Sequence, residues 1–79
     1  MRRFTVVITP EPDGSAYNVT VPALPGCFTY GATRDQAIAN AHEAIALYIE
    51  ASLAHGEAIP DDLNVETSLV EIDEPARSA

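Results

Sequence analysis

The strongest constraint on this chain is one uninterrupted helix signal between Thr33 and Gly56. Thr33-Arg34-Asp35-Gln36 reads as a capping box, in which the threonine hydroxyl accepts from the Gln36 amide and the glutamine side chain reaches back. Asp35 in the first turn suits the positive end of the helix dipole. Good helix formers continue to His55, and Gly56 supplies a left-handed stop. About 22 residues at ~1.5 Å each make a rod of roughly 33 Å. In a chain of 79 residues, whatever else folds must cover one side of that rod. The spacing puts Ile38, Ala41, Ile45, Ile49 and Leu53 on one stripe, flanked by Tyr48 and His42. Gln36, Asn40, Glu43 and Glu50 fall opposite.

Before the helix the period changes from 3.6 to two. Phe4, Val6 and Ile8 alternate with Thr5, Val7 and Thr9, which predicts a first strand. Pro10-Glu11-Pro12-Asp13-Gly14-Ser15 ends it in a hairpin turn. Tyr17, Val19 and Val21 predict a second strand, broken by Pro22 and Pro25. Cys27-Phe28-Thr29-Tyr30 predicts a short third strand ended by Gly31. After Gly56, Pro60-Asp61-Asp62 reads as a turn, and Leu63 to Asp73 as a fourth strand with Val70 and Ile72 alternating. The expected fold is α+β: a two-layer β-β-β-α-β domain over residues 1–73, an antiparallel sheet with one long helix on one face. Residues 74–79 are expected to form a flexible tail.

Composition excludes several classes. The hydrophobic fraction is 47% and the charged fraction 20%, which argues against disorder. No apolar run approaches the ~20 residues of a membrane span. The start from Met1 to Ile8 imitates a signal peptide until Thr9, Pro10 and Glu11 interrupt it, so a cytoplasmic chain is expected. A formal charge of −8, with no lysine and four arginines, opposes direct nucleic-acid binding and suits a basic protein partner. The acidity is concentrated. Residues 57–79 hold seven acids and one arginine, against five acids and three arginines in residues 1–56. So small a chain is of marginal stability alone, which favours a partner or a second copy.

The chemistry-bearing residues are scattered. Cys27 is the lone cysteine, so it forms no internal disulfide, and the pattern reads as a buried, inert thiol. His42 and His55 stand 13 positions apart on one helix, about 20 Å by helical rise, too far to share a metal. His42 reads as core-edge packing and His55 as a cap near the helix end. The first three strands contain no acids, and no glycine-rich phosphate loop exists. No catalytic residue, cofactor site or metal site is expected.

One constellation is more specific. Tyr17-x-Val19-x-Val21-Pro22-x-Leu24-Pro25-Gly26-Cys27-x-Thr29-x-Gly31-x-Thr33 resembles the HicB antitoxin family. The likeness continues through Ala37, Ala41, Glu43-Ala44-Ile45 and Ile59-Pro60, and covers roughly residues 4 to 72. Three positions depart from the family pattern: Ala23 and Ala32 stand where acids are common, and Gln36 where glutamate is usual. The resemblance implies a degenerate, partial ribonuclease-H-like fold without nuclease activity. It also implies a partner, a small basic HicA toxin that cleaves mRNA, and assembly into homo-oligomers. Many family members carry a C-terminal DNA-binding domain; this sequence resembles a short form without one.

Two functional expectations follow, from different classes. The first is a non-catalytic antitoxin that masks a basic ribonuclease, with an acidic rim of Glu57, Asp61, Asp62, Glu66, Glu71, Asp73 and Glu74. Leu24 and Pro25 are its expected apolar anchors, the alternative being a plain strand connection. The second is a solitary self-associating structural or regulatory module, with Leu47, Ala51 and Ala54 as the contact. Read blandly, Leu47 is an isolated exposed leucine and the acids confer solubility. A ribonuclease-H-type enzyme is the third reading, and the strands offer it no carboxylates.

Overall fold

The computed structural model describes residues 2–62 and 65–75. Three strands, β1 (Val7–Pro10), β2 (Tyr17–Thr20) and β3 (Phe28–Gly31), form an antiparallel sheet in sequence order, followed by helix α1 (Arg34–Ala54). The α+β class is as expected. Val7 faces Thr20 and Pro10 faces Tyr17 in the first ladder; Thr20 faces Phe28 and Tyr17 faces Gly31 in the second. Strand β1 starts three residues later than Phe4 because its ladder partner ends at Thr20, where the chain turns toward Pro22. Pro10 closes β1 at the sheet edge, where a missing N–H costs no ladder bond.

Side chains organise both turns. In the first, the Gly14 amide donates to the Glu11 carbonyl at 2.9 Å, with Gly14 at φ 75°. The Asp13 carboxylate accepts from the Ser15 amide at 2.9 Å, and its contacts with Ser15 hold its pKa below the ordinary value. In the second, Leu24 N–H donates to Val21 carbonyl and Cys27 N–H to Leu24 carbonyl, both at 3.0 Å. Val21 N–H donates to Cys27 carbonyl at 3.1 Å and closes the loop. Two consecutive turns therefore curl Leu24 inward.

The helix caps follow the sequence closely. Thr33 is extended, and its Oγ1 accepts from the Gln36 amide at 3.1 Å. Gln36 Oε1 reaches back to the Ala32 amide at 3.1 Å, one residue earlier than in the standard box. At the other end Gly56, at φ 68°, donates to Leu53 carbonyl, and Glu57 N–H donates to Ser52 carbonyl. This is a Schellman stop. The ring Nδ1 of His55 lies 2.8 Å from the Ala51 carbonyl, which can only accept, so Nδ1 carries the proton.

The buried face of α1 is rotated from the expected stripe. Ala37, Ala41 and Ser52 are buried and Ala44, Ile45 and Tyr48 partly so, whereas Ile38 and Leu53 are exposed. The cause is the junction with β3. A Cβ on Gly31 would run into the Ala37 backbone, with Ala37 Cα at 2.8 Å, so the helix's first turn lies directly on the strand. Small side chains at 37 and 41 permit that approach; Ile38 is turned out, while Ile45 and Ile49 of the expected stripe stay half-buried. One core cluster joins Val19, Ala37 and Ala41; the other joins Val21, Leu24 and Cys27, with Phe4, Ile45 and Tyr48 against it.

Over its described part, residues 65–73, the expected fourth strand does not form. Residues 65–75 carry no sheet pairing, and Leu69, Val70 and Ile72 are 96%, 80% and 82% exposed. Leu63 and Asn64, also assigned to it, and residues 76–79 of the expected tail lie outside the described residues. The alternation is present in the sequence, but a strand needs a neighbour, and no edge of this sheet receives it. The radius of gyration is 16.2 Å, against about 12 Å for a compact chain of this length, and the molecule extends 57 × 28 × 20 Å. Residues 65–75 thus form an arm that leaves the body.

Two outcomes test this packing. Gly31→Ala should lower unfolding stability by about 3 kcal/mol in urea titrations, because the clash is with backbone that cannot rotate away. Burial pushes the Cys27 thiol above its ordinary pKa. Its reaction with an aromatic disulfide reagent should be slow in the native protein and fast in urea. The folded thiol holds its proton more tightly than the unfolded one, so this contribution is intact below the ordinary thiol pKa and declines as pH rises above it.

Candidate partner-binding surfaces

Helix α1 covers only one face of the sheet, so strand alternation leaves the other face open. Register places Val7, Thr20 and Phe28 in one row across that face, and Thr9, Asn18 and Tyr30 in the next. Phe28 is 73% exposed and Tyr30 67%. Asn18, in the second row, donates to Glu11 Oε1 at 2.6 Å. Two aromatic rings two residues apart on one strand form an apolar step of the kind that anchors protein interfaces. The sequence reading missed them. The available signal was the period of two, which pairs Phe28 with Tyr30 on the face opposite buried Cys27.

Leu24 is corrected. It is 0% exposed, packed with Val21 and Cys27, and cannot anchor a partner in this conformation. Pro25, next to it, is exposed.

The seven acids divide into two groups. Asp61 and Asp62 are tied to the stretch before β1: Arg2 Nη1 lies 3.4 Å from Asp61 Oδ1, and Thr5 Oγ1 donates to Asp62 Oδ2 at 2.6 Å. Asp62 is half-buried, and its Oδ1 is screened from solvent with no hydrogen-bond partner among the described residues. Both partners of the Arg2–Asp61 pair are well exposed, so it adds at most about 1 kcal/mol. Glu57, Glu66, Glu71, Asp73 and Glu74 are exposed, four of them on the arm. The arm therefore projects negative charge beyond the folded body.

On the outer side of α1, Leu47, Ala51 and Ala54 are exposed, as is Leu53. His42, expected to pack at the core edge, is instead exposed, because the rotation of the helix carries it to the flank. There it lines a groove of about 430 Å³ with Arg2, Phe4, Ile45, Ala46 and Ile49, between the chain entering β1 and the middle of α1. Among the described residues, no three His, Cys, Asp or Glu side chains gather in a metal-binding arrangement. None of the described helices is long and apolar enough to cross a membrane.

Known proteins match this chain along most of its length. The family pattern described as HicB_like antitoxin of bacterial toxin-antitoxin system matches residues 4–75. A UPF0150 protein of Thermoplasma acidophilum is 53% identical over 60 residues, covering 76% of this chain and 86% of that protein. A UPF0150 protein of Synechocystis is 42% identical over 64 residues, 80% of each chain. An uncharacterized 14.9 kDa protein of Haemophilus phage HP1 is 41% identical over 56 residues, which cover 71% of this chain and 42% of the phage protein. The chain belongs to the HicB-like antitoxin family.

Proposed function

We propose that this protein is a non-catalytic antitoxin that binds and masks a small, basic, mRNA-cleaving toxin of the HicA type in the cytoplasm. Family membership supports an antitoxin role within a toxin–antitoxin pair. The observation that carries the finer reading is the pairing of an exposed aromatic step, Phe28 and Tyr30, with an acidic segment on the same small body. A toxin that cleaves mRNA must present positive charge to phosphates. A negative partner competes for that surface.

The two features divide the work. Glu57, Glu66, Glu71, Asp73 and Glu74, with the tethered Asp61 and Asp62, speed encounter through long-range attraction. Phe28 and Tyr30 replace Leu24 as the apolar anchors, and exposed Pro25 stands close to them in sequence at the end of the turn that leads into β3. With net charge −8, the same surface repels nucleic acid, so inhibition works by occlusion of the toxin. The exposed Leu47, Ala51 and Ala54 favour a second reading, a self-associating module without a toxin.

Calorimetry with a HicA-type toxin separates these readings. Phe28→Ser with Tyr30→Ser should weaken binding by about 100-fold, while thermal stability changes little because both rings are exposed. Wild-type affinity should fall as salt rises from low to physiological strength. Absence of any complex, or a complex indifferent to both changes, overturns the antitoxin–HicA reading.

A further inference from the structure

Glu11 is held more firmly than an exposed acid in a turn requires. Its backbone closes the first turn: its N–H donates to the Ala16 carbonyl at 2.8 Å, and its carbonyl accepts from Gly14 at 2.9 Å. Its side chain is fixed as well, because Asn18 Nδ2 donates to Oε1 at 2.6 Å. A carboxylate only accepts, so this contact sets the orientation of the amide and leaves Asn18 Oδ1 as an acceptor. Among the described residues no arginine pairs with Glu11, and its Oε2 makes no hydrogen bond.

Strand register sets an aromatic ring beside this pair. Asn18 stands directly opposite Tyr30 on β3, and residues so paired carry their Cβ atoms about 5 Å apart. Tyr30 is 67% exposed, and Asn40 ties the strand beneath it to α1 by donating to the Tyr30 carbonyl at 2.8 Å. One spot on the open face therefore presents a carboxylate oxygen, an amide oxygen and a π-face.

We infer that Glu11, Asn18 and Tyr30 form a seat for one arginine guanidinium of the basic partner. The source of that arginine rests on the antitoxin reading; the chemistry of the seat does not. A guanidinium is planar and carries its N–H donors in a fork, so it stacks on Tyr30 while donating to Glu11 Oε2 and Asn18 Oδ1. An ammonium is more strongly hydrated and has no flat face to stack. A phosphate meets a carboxylate there and no cation, so RNA does not compete for the seat. The arginine bound here is one that a ribonuclease would otherwise offer to phosphate, which recognises the same fork. Glu66, Glu71, Asp73 and Glu74 attract a basic partner at range, and Glu11 selects the group that arrives.

Titrating the isotope-labelled full chain with N-acetyl-arginine amide at constant ionic strength tests the seat without any toxin. The Asn18 side-chain amide and the Tyr30 backbone amide should shift together along one saturable curve, and Glu11→Gln should abolish it. N-acetyl-lysine amide should bind at least about 5-fold more weakly. Glu11→Gln keeps the turn, which backbone groups close, so its circular dichroism should be unchanged. With a HicA-type toxin, Glu11→Gln should speed dissociation about 10-fold and leave association within about twofold. Glu71→Gln with Asp73→Asn should slow association instead. Equal shifts with the two amides, or shifts confined to residues 66–74, overturn the seat. So does a toxin complex whose dissociation ignores Glu11→Gln, an outcome under which the antitoxin reading stands. A saturable, Glu11-dependent seat in a chain that binds no HicA-type toxin upholds the seat and removes that reading.

Discussion

Gly31 and Ala37 meet where β3 gives way to α1, and that contact sets the rotation of the helix. With no Cβ on Gly31, the first helical turn lies directly on the strand backbone. Thr33 and Gln36 then fix the turn by satisfying amides at its start. Once the first turn is fixed, a straight helix of 21 residues has no freedom to choose its buried face. The alanines at 37, 41 and 44 go inward, and Tyr48 and Ser52 follow at the same side. Ile38 and Leu53 are turned out, and His42 moves to the flank.

The same contact determines what is left over. A helix seated on β2 and β3 leaves the region beside β1 thinly covered, which creates the groove lined by Phe4, Ile45 and Ile49. It also covers one face of a sheet only three strands wide. Phe28 and Tyr30 are exposed for that reason. Their exposure is a consequence of topology, since pairing with β2 forces both onto the face away from α1. The apolar surface of this protein is thus divided between an interior of small residues and outward positions that suit association.

Much of the fold was legible in the sequence because its signals are local. The capping box and Gly56 delimit the helix within a residue or so, and the alternation around Val19 together with the proline-rich turns delimits the sheet. Three features were hidden for physical reasons. The buried face of α1 depends on alanines, whose weak hydrophobicity loses to isoleucine in any periodicity argument, and the decisive Gly31 contact is tertiary. Leu24 looks like a projecting group between two prolines, yet its direction depends on two turn hydrogen bonds that no hydrophobic pattern encodes. Residues 65–73 carry a strand pattern, but pairing requires an edge, and among the described residues none of them pairs with the sheet. The acidic rim was legible as composition; its division into tethered and projecting carboxylates was not.

These features give the small size of the domain a functional meaning. A chain of 79 residues whose core rests on Val19, Leu24 and a few alanines has little stability to spare. Every group that binds the folded state alone shifts the folding equilibrium toward it by mass action. The exposed aromatic step gives this protein such an opportunity with the toxin partner that its family implies. Stability and recognition are then the same quantity read at different concentrations. A chain that is firm only in company is exposed to proteolysis when its partner is scarce, since cleavage tracks the population of open forms.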